Sequence, residues 1–409
     1  MKFKKIRIKN YKSITEEILI DDFSKFNVLV GPNNAGKTNV LDAFEVFFNT
    51  KSTELRREKA GIELTIENNK KSQKFTYNGG INNLEIEKED KLVRINHSVS
   101  LKDLATEKLS DFQDNYEKEY EKFSKTLEKY FQDIQISQEL FRANVETKTG
   151  RESLKRMGDG FKRLFIILFY LYHPYYEIML IDEPELHLHP TVIKKFLKIL
   201  DDHKGTQVIM TTHHPTMVQA KFLDKTWRVA RNKNQSTAIY KFNQDKLDIN
   251  IDRFVQEIND DNSAMLFADK ALLVEGVSDS ILMRGLIDKF YEKSEDIKVV
   301  YTGGVGDIDL YEKVCKIFNI PYRIMIDGDM LGLYWSKKFG KERQASERKK
   351  RELLEDRNIF VLDGDLEDNY PKKYQKKDTK PLNALLATSM ITRKDFSKMK
   401  ELKRVIANL

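Results

Sequence analysis

The segment Gly31–Thr38 constrains the fold of this chain more than any other part of its sequence. It reads Gly-Pro-Asn-Asn-Ala-Gly-Lys-Thr and fills every position of the pattern G-x-x-x-x-G-K-[ST]. The apolar residues Phe26–Val30 precede the segment as a strand would, and the periodic apolar run Val40–Phe48 follows it as a helix would. A strand, a glycine-containing loop and a helix in this order predict a P-loop that binds a nucleoside triphosphate.

The same loop supplies the predicted nucleotide ligands. Its glycines allow backbone N–H groups to surround phosphate oxygens, and the dipole of the following helix favours their negative charge. Lys37 is expected to reach the β- and γ-phosphates, and Thr38 is expected to hold Mg²⁺ through its hydroxyl. ATP with Mg²⁺ is the predicted cofactor. The predicted cofactor-binding residues of this loop are Asn33, Asn34, Ala35, Gly36, Lys37, Thr38 and Asn39.

Composition narrows the class of protein. The chain has 409 residues, of which 33% are charged and 40% hydrophobic, so it is expected to be soluble and to form two or three domains. A net charge of +7 permits a polyanionic partner. The single cysteine, Cys315, excludes an intrachain disulfide framework and favours a cytoplasmic location. No signal peptide is expected, because no apolar segment follows the basic residues Met1–Lys5.

In three further segments, the spacing of apolar residues predicts secondary structure. Lys2–Ile8 alternates polar and apolar residues and predicts a strand. Leu101–Ile134 is rich in Glu and Lys, contains no Pro or Gly and has apolar residues at helical steps, which predicts a long amphipathic helix in an insertion at about 95–145. We favour packing of its single apolar stripe over a dedicated partner surface. Leu164–Tyr172 is too short to cross a membrane and predicts a buried helix.

Two glycines precede that buried helix, in the segment Glu152–Arg163. Gly158 and Gly160 at a helix N-terminus could present backbone donors to a phosphate, although such a glycine pair is a weak signal alone. The next apolar segment, Glu177–Pro184, predicts a strand that ends in two carboxylates.

These two carboxylates have different expected roles. Asp182 is expected beside the Mg²⁺ held by Thr38, and Glu183 is placed to polarise the attacking water. Another apolar strand ends at His213, which is expected to hydrogen-bond the γ-phosphate. A zinc site is a weaker interpretation, because no cysteine accompanies the histidines. The histidines that raise it are His187, His189, His213 and His214.

Taken together, these motifs resemble the ABC-type ATPase heads of the RecF, Rad50 and SMC group, over about the first 240 residues. In that resemblance Gly31–Thr38 is the Walker A motif, Lys155–Arg163 the signature segment, Leu180–Glu183 the Walker B motif and His213 the switch histidine. Asp159 stands where the usual signature has a serine or another small residue. The resemblance implies a homodimer in which two subunits enclose ATP.

The second half of the chain restarts a strand–helix rhythm. Apolar strands end at Glu275, at Thr302, at Asp327 and just before Asp363. This alternation predicts a parallel sheet whose sites gather at the carboxyl ends of the strands. Acidic residues at those ends would repel one another unless a divalent cation lay among them, and carboxylates suit Mg²⁺ or Mn²⁺. The predicted catalytic and metal-binding acids are Glu275, Asp279, Asp327, Asp329 and Glu367.

This half resembles a TOPRIM domain, with Glu275-Gly276 as the first acidic motif and Asp327-Gly328-Asp329 as the second. Behind an ABC-type head, the combination resembles the OLD (overcoming lysogenization defect) family of ATP-dependent nucleases. The resemblance implies metal-dependent cleavage of DNA, a role in anti-phage defence, and a lysine in the nuclease site. Lys380 is the candidate lysine, and its rivals are Lys372, Lys373 and Lys376.

The predicted architecture is therefore an α/β chain with an ABC-type ATPase domain at 1–262 and a Rossmann-like TOPRIM domain at 263–409. Basic residues at 337–351 and 372–377 lie between and after the acidic strand ends and favour DNA binding, although a solvated helix face is an equally common meaning of such runs. Two other functions remain open: a RecF-like or SMC-like repair ATPase whose TOPRIM part does not cut, and a defence ATPase that signals to a partner protein or nucleic acid.

Overall fold

The computed structural model describes residues 2–45, 61–68, 71–78, 81–82, 91–96, 106–130, 135–136, 144–147, 150–153, 157–241, 260–340, 344–376 and 378–409. The chain divides into two compact units, Met1–Lys241 and Phe242–Leu409. The boundary predicted after residue 262 lies further along the chain. The residues between, 242–259, fall outside the described part, and the exact boundary stays a prediction.

The first unit contains strands β1–β14 and helices α1–α5. The strands are β1 (Lys2–Lys9), β2 (Ile18–Asp21), β3 (Phe26–Val30), β4 (Gly61–Asn68), β5 (Lys71–Asn78), β6 (Ile81–Asn82), β7 (Leu92–Ile95), β8 (Gln135–Ile136), β9 (Asn144–Thr147), β10 (Gly150–Ser153), β11 (Ile178–Asp182), β12 (Gln207–Thr211), β13 (Thr226–Arg231) and β14 (Thr237–Lys241). The helices are α1 (Lys37–Glu45), α2 (Thr106–Asn115), α3 (Glu117–Tyr130), α4 (Asp159–Tyr172) and α5 (Pro190–Asp202), with short 3-10 helices at Pro215–Met217 and Ala220–Lys225.

The P-loop strand lies inside a six-stranded sheet with the order β14-β13-β3-β12-β11-β7. All its pairings are parallel except that of β13 with β14. Strands β3, β11 and β12 are buried along their whole lengths, as expected for continuous apolar strands covered on both faces. Because their carboxyl ends share one edge, the P-loop, the residues after β11 and the residues after β12 meet there.

A second sheet, β2-β1-β4-β5-β6, is antiparallel and includes the N-terminal strand predicted from its alternation. A small three-stranded sheet has the order β10-β9-β8. The predicted P-loop helix begins at Lys37 and is described as far as Glu45; its predicted continuation to Phe48 lies outside the described residues.

The single long helix predicted in the insertion is two helices, α2 and α3, which are interrupted at Tyr116. Asn115 and Tyr116 are weak helix formers, which favours an interruption at this point. Their apolar stripe packs on helix α4, with ring centroids 5.4 Å apart for Phe112 and Phe169 and 5.3 Å apart for the Phe123 and Phe165 pair. Packing by one stripe is thus confirmed for the described part of the insertion. No helix in the described part of the chain is long and apolar enough to cross a membrane.

The second unit is a parallel sheet with the order β16-β15-β17-β18, as the strand–helix rhythm predicts. Its strands are β15 (Lys270–Val274), β16 (Ile297–Tyr301), β17 (Tyr322–Ile326) and β18 (Ile359–Val361). Its helices are α6 (Asp260–Ser263), α7 (Val277–Phe290), α8 (Val305–Ile317), α9 (Leu331–Phe339), α10 (Glu347–Glu355), α11 (Lys380–Met390), α12 (Arg393–Phe396) and α13 (Lys400–Ala407). Short 3-10 helices occupy Ala264–Leu266, Gly328–Met330, Leu366–Asn369 and Lys372–Tyr374.

One close helix pair positions a predicted site residue. Helices α7 and α11 approach so closely that a Cβ on Gly285 would lie 2.5 Å from the side chain of Thr388. Glycine at this position therefore permits the contact. Helix α7 begins just after the end of strand β15, and α11 begins with Lys380, so this packing fixes Lys380 relative to the sheet.

Candidate ATPase and TOPRIM sites

The P-loop has a conformation that only glycine permits at two positions. Gly31 has a φ of +142°, and a Cβ there would lie 1.9 Å from the carbonyl oxygen of Val229. Gly36 has a φ of +104° and is crowded by the Thr237 and Ser13 side chains. The loop thus curls tightly at both glycines of the motif.

Lys37 lies at the first position of helix α1 and its side chain turns back over the loop. Its Nζ donates to the carbonyl oxygens of Gly31 at 2.8 Å and Pro32 at 2.9 Å. Burial lowers the pKa of Lys37 to about 8, while the nearby carboxylates of Glu183 and Glu185 oppose that shift. Lys37 is therefore a desolvated ammonium held beside the loop by two weak neutral acceptors, which a phosphate can replace.

The other predicted loop residues occupy distinct environments. Asn33, Asn34 and Thr38 are exposed, whereas Ala35 is buried and its carbonyl oxygen accepts a hydrogen bond from the Thr237 hydroxyl at 2.8 Å. The Asn39 amide donates to the Ser13 hydroxyl at 2.6 Å, so it supports the loop from behind. Sequence reasoning did not identify the supporting residues Ser13 and Thr237, because they come from distant segments.

Asp182 ends strand β11 and is held by two side chains. Its Oδ1 accepts a hydrogen bond from Thr211 Oγ1 at 2.9 Å, and its Oδ2 is ion-paired with Arg94 of the neighbouring strand β7. Its side chain is only 7% exposed. A buried, oriented carboxylate on this edge fits a ligand of a nucleotide-bound Mg²⁺, as the sequence predicts.

Glu183 follows in a left-handed conformation with a φ of +48°, which turns it away from the strand direction. Its Oε1 lies 3.5 Å from His213 Nε2, so the predicted water-polarising acid and the predicted switch histidine are brought together. Burial and the nearby Lys37 lower the pKa of His213, which favours the neutral imidazole.

Glu185 is a site residue that sequence reasoning missed. Its buried Oε1 accepts hydrogen bonds from Thr212 Oγ1 at 2.7 Å and from the His213 backbone N–H at 3.0 Å. Burial raises the pKa of this carboxyl above its usual value, and the repulsion of Glu183 adds to the shift. Glu185 therefore ties the turn after β11 to the turn after β12. The sequence feature that could have identified Glu185 is its position two residues after Glu183.

The signature segment meets the Walker B turn through Arg163. Its Nη2 donates to the carbonyl oxygens of Asp182 at 2.5 Å and Glu183 at 3.1 Å, and its Nη1 donates to that of Asn96 at 3.2 Å. Gly160 approaches the same region, because a Cβ there would lie 2.3 Å from the His187 carbonyl oxygen. Lys155 and Arg156, also in this segment, lie outside the described residues.

The two predicted signature glycines therefore differ. Gly158 is exposed and precedes helix α4 as its N-cap, and no heavy atom of the described residues lies within 4 Å of the place a Cβ would take. Gly160 is needed by the chain's own packing. Of the pair, Gly158 is the one that faces open space and could meet a phosphate.

In the second unit, two Asp-Gly-Asp loops come together at the edge of the parallel sheet. The Gly328 N–H donates to the Gly364 carbonyl oxygen at 2.8 Å, and a Cβ on Gly328 would lie 2.7 Å from the Leu362 carbonyl oxygen. Gly364 itself has a φ of +69°. The glycines thus let the loops after β17 and β18 touch backbone to backbone.

This loop contact assembles three carboxylates. Ligand oxygens of Asp327, Asp329 and Asp365 all lie within 4.8 Å of one another. Asp327 Oδ1 is a buried oxygen that has no hydrogen-bond partner among the described residues. The cluster fits a divalent cation, since it offers convergent hard oxygen ligands and one of them lacks any other partner. Within the described ranges this is the one such group of three potential ligands, and it contains no histidine.

Asp365 was missed by sequence reasoning, which selected Glu367 from the same loop. The signal that could have found it is the repeat of the Asp-Gly-Asp pattern, since Asp363-Gly364-Asp365 copies Asp327-Gly328-Asp329 at the next strand end. The two aspartates of this loop differ in burial. Asp365 is half-buried in the cluster, whereas the Asp363 side chain is 75% exposed and pairs with Arg351 at 3.1 Å.

Glu275 and Asp279 lie next to the cluster and make backbone contacts. Glu275 Oε1 accepts a hydrogen bond from the Asp327 N–H at 2.9 Å, so it orients that aspartate. Asp279 Oδ2 accepts from the Gly276 N–H at 2.9 Å and caps helix α7. Burial raises the pKa of Glu275 to about 7 and that of Asp279 to about 6. The metal-binding roles predicted for both stay predictions.

Glu367 and Lys380 form an ion pair on the other side of the cluster. Lys380 Nζ lies 3.0 Å from Glu367 Oε2 and 3.7 Å from Asp365 Oδ2. The contact with Glu367 raises the pKa of Lys380, so the ammonium is charged at neutral pH. Its rival Lys373 instead pairs with Asp395 at 2.8 Å. The structure thus brings Lys380 to the acids and commits Lys373 elsewhere.

Several basic residues of the predicted DNA-binding cluster are engaged within the unit. Arg351 donates to the Val361 carbonyl oxygen at 2.8 Å, and Lys337 lies 3.1 Å from Asp309 Oδ2. Lys338 forms ion pairs with Asp309 and Glu312. These cations therefore have partners within the fold, in addition to any polyanion that they bind. Lys341 and Arg343 lie outside the described residues.

Electrostatics make the metal-free cluster costly to ionise. Burial and the neighbouring carboxylates of Asp279, Glu275, Asp365 and Asp329 raise the pKa of Asp327 to about 8 from its ordinary 3.8. A carboxyl group with a raised folded-state pKa destabilises the fold as it loses its proton. In the absence of metal, its contribution to stability therefore falls as the pH rises from 3.8 toward about 8.

We expect the unfolding temperature measured in EDTA to fall between about pH 6 and about pH 8, because folded Asp327 and Glu275 still hold protons in that range that the unfolded chain has already lost. Mg²⁺ should raise the unfolding temperature more at the higher pH, where the ligands are ionised. Asp327→Asn should flatten both dependences in differential scanning fluorimetry. Equal pH dependence in the variant and the parent would contradict the assignment.

Comparisons with known proteins identify two kinds of domain in this chain. Residues 1–149 match the family described as an AAA ATPase domain, and residues 97–218 match the AAA domain described as a putative AbiEii toxin of a Type IV TA system. Residues 266–329 match the TOPRIM domain of proteins like the overcoming lysogenization defect protein. The chain joins an AAA-type ATPase domain to an OLD-like TOPRIM domain. The predicted fold class and the resemblance to OLD-type domains are confirmed at this level.

Three curated relatives match part of this chain. An OLD nuclease of Thermus scotoductus is 30% identical over 37% of this chain, and the Old nuclease of Escherichia phage P2 is 28% identical over 38%. Endonuclease GajA of Bacillus cereus is 25% identical over 42% of the chain. The matches cover 31%, 28% and 31% of those proteins, respectively, so the chain spans less than a third of the length of each. Among solved structures, an SMC head domain from Thermotoga maritima matches 59% of this chain and 100% of its own, with 20% identity and a TM-score of 0.42.

Proposed function

We propose that this protein is an ATP-binding nuclease that cuts DNA at its TOPRIM site with a divalent metal ion. The observation that carries the proposal is the convergence of the Asp327, Asp329 and Asp365 carboxylates at the edge of the parallel sheet. The names of the three relatives support the nuclease assignment. The two ATPase-domain matches support the nucleotide site.

The proposed nuclease residues have different roles, which follow from their positions around the acidic cluster. Asp327, Asp329 and Asp365 would hold Mg²⁺, with Mn²⁺ as a substitute, since both ions prefer carboxylate oxygens. Such an ion supplies charge neutralisation and activation of a water nucleophile when bound. Glu275 keeps Asp327 oriented through its backbone N–H, and the Lys380 ammonium offers a donor to a phosphate oxygen beside the cluster.

The proposed ATPase residues lie on the edge formed by β3, β12 and β11. Lys37 exchanges its loop carbonyl acceptors for phosphate oxygens, while Thr38 and Asp182 would hold the Mg²⁺ of the nucleotide. Glu183, next to the neutral His213, is the acid that orients and polarises the attacking water. We propose that ATP regulates cleavage, because one chain carries both sites.

A plasmid-nicking assay tests the nuclease. Supercoiled plasmid incubated with the purified protein and Mg²⁺ should be converted to the nicked or linear form, and EDTA should stop the reaction. Intact plasmid in both Mg²⁺ and Mn²⁺, together with ATP hydrolysis by the same preparation, would instead support the alternative of a RecF-like or SMC-like ATPase whose TOPRIM part does not cut.

We further propose a homodimer in which the signature segment of one subunit meets the nucleotide of the other. The open space around Gly158 at the start of helix α4 supports this. The wider setting, a cytoplasmic defence nuclease with a possible protein or nucleic-acid partner, rests on the resemblance to OLD proteins. A plaque assay with and without Asp327→Asn, against a panel of phages, tests that setting.

The two signature glycines give a test of the dimer. Gly158→Arg should reduce ATP hydrolysis by roughly 100-fold while nucleotide binding and the unfolding temperature stay near the parental values, because its side chain enters open space where a partner would approach. Gly160→Arg should instead lower the unfolding temperature, since its Cβ would meet the His187 carbonyl oxygen. Light scattering with ATP should show that Gly158→Arg stays monomeric. Parental hydrolysis in Gly158→Arg would contradict the dimer.

A further inference from the structure

Arg94 is a nearly buried cation inside the proposed ATPase site. It lies on strand β7, whose parallel partner is the Walker B strand β11, and its side chain is 11% exposed. Its Nη2 is ion-paired with Asp182 and lies 3.3 Å from Asp42 Oδ1. Its Nη1 lies 3.7 Å from Glu45 Oε2. One guanidinium thus bridges the proposed metal-binding aspartate and two acids on helix α1.

The hydrogen bonding of Arg94 is incomplete. Its Nε and Nη1 are buried and have no hydrogen-bond acceptor among the residues that the structure describes. Arg163, which approaches the same strand end, also has a buried Nε without an acceptor among the described residues, but both of its Nη groups donate to main-chain carbonyl oxygens. A purely structural arginine would be expected to satisfy its buried donors in that way. Arg94 is held mainly by charge, through Asp182 and the acids of α1.

The acids of helix α1 give Arg94 a second place to bind. Asp42 follows Thr38 by four residues, so both project from the same face of α1. Asp42 is shared with Lys12 and remains available to Arg94 when Asp182 is engaged elsewhere. Moving the guanidinium from Asp182 toward Asp42 and Glu45 would not leave its charge unpaired.

We propose that Arg94 is the built-in counter-cation of Asp182, which it must release when Mg²⁺–ATP binds, and that it thereby sets the Mg²⁺ concentration required for nucleotide binding. This inference rests on the proposed ATP site. Before nucleotide arrives, Arg94 pairs with the buried Asp182 carboxylate and holds it in place. Arg94 and the metal ion compete for one carboxylate. Nucleotide binding therefore needs a higher Mg²⁺ concentration than it would need without Arg94.

The test is a Mg²⁺ titration of the binding of a fluorescent ATP analogue. Arg94→Met removes the charge and keeps the length of the side chain, so the Mg²⁺ concentration at half-maximal binding should fall by roughly tenfold, as loss of a competing charge-assisted contact implies. Arg94→Lys should restore a midpoint near that of the parent. Lys12→Met removes the other cation of Asp42 without touching Asp182, and its midpoint should stay within about twofold of the parental one.

The unfolding temperature shows whether the Arg94 variants are folded. Without its counter-charge, Asp182 should make Arg94→Met less stable than the parent, and Mg²⁺ alone should raise the unfolding temperature of the variant more than that of the parent. Arg94→Gln, which is neutral and still donates a hydrogen bond, replaces Arg94→Met if that variant does not fold.

The outcomes separate the two levels of the proposal. Parental nucleotide binding together with an unchanged or higher Mg²⁺ midpoint in the neutral variant overturns the role of Arg94 and leaves the ATP site intact. A neutral variant that binds nucleotide more weakly at saturating Mg²⁺ also overturns it, since Arg94 would then contact the nucleotide itself. Failure of the parent to bind the analogue at any Mg²⁺ concentration overturns the ATP site and this inference with it.

Discussion

Asp327→Asn is expected to reduce Mg²⁺-dependent DNA nicking by at least about 100-fold, because it removes the charge of the central ligand of the acidic cluster while preserving its shape. Asp327 Oδ1 is the buried oxygen that has no hydrogen-bond partner among the described residues, so metal binding is its clearest use. The measurement is the initial rate of plasmid nicking by the variant and the parent on the same DNA.

The same preparation supplies the control for this variant. ATP hydrolysis by Asp327→Asn should stay near the parental rate, since the predicted nucleotide ligands Lys37, Thr38 and Asp182 belong to the other unit. Mn²⁺ should restore part of the nicking, because it binds carboxylate sites more tightly than Mg²⁺. A variant that nicks as fast as the parent in both metals would show that Asp327 does not serve the nuclease.

Glu183→Gln is expected to bind ATP with near-parental affinity and to hydrolyse it at least about 100-fold more slowly, because the amide cannot polarise the attacking water. The 3.5 Å contact between Glu183 and His213 brings the proposed water-polarising acid and the proposed switch histidine together. Lys37→Ala should instead abolish nucleotide binding, since it removes the cation that faces the phosphates.

Single-turnover hydrolysis and binding of a fluorescent ATP analogue distinguish these two variants. Asp201→Asn is a suitable control, because this acid pairs only with the exposed Lys221 and the half-buried Lys225 in the described structure and should leave both readouts unchanged. Parental hydrolysis by Glu183→Gln would make the Walker B assignment wrong.

The elements that could be predicted from the sequence are those whose signal is local. The strand Phe26–Val30, the loop Gly31–Thr38 and the parallel strands of the second unit follow from apolar runs that stop at glycine or acidic residues. Acids after different parallel strands meet at one edge, which is why Glu275 and Asp327 were predicted together.

The rest depends on contacts between distant segments, and periodicity does not encode these. Arg94 reaches Asp182 because β7 joins the sheet beside β11, a pairing that no local pattern announces. Glu185 binds the Thr212 hydroxyl across the same edge. The close approach of Gly160 to His187 likewise needs the folded turn, so a glycine that resembles a phosphate ligand also has a packing role in its own chain.

In the loop after β18, too, local sequence does not show which acid joins the cluster. Asp363 and Asp365 are separated by one glycine and are equivalent by composition, and sequence reasoning chose Glu367 from the loop instead. Contact between the Gly328 and Gly364 backbones selects Asp365 for the cluster and leaves Asp363 in solvent. The direction in which a loop residue points is set by its backbone conformation, and here that is set by packing.

The comparison of Asp365→Asn with Asp363→Asn tests the proposed metal site most directly, because the two variants make the same chemical change in the same loop. On one plasmid with Mg²⁺, Asp365→Asn is expected to nick at least about 100-fold more slowly than the parent. Asp363→Asn, which loses an ion pair between Arg351 and an exposed carboxylate, is expected to nick within about twofold of the parent. Equal rates for the two variants, or the greater loss in Asp363→Asn, would contradict a metal site built from Asp327, Asp329 and Asp365.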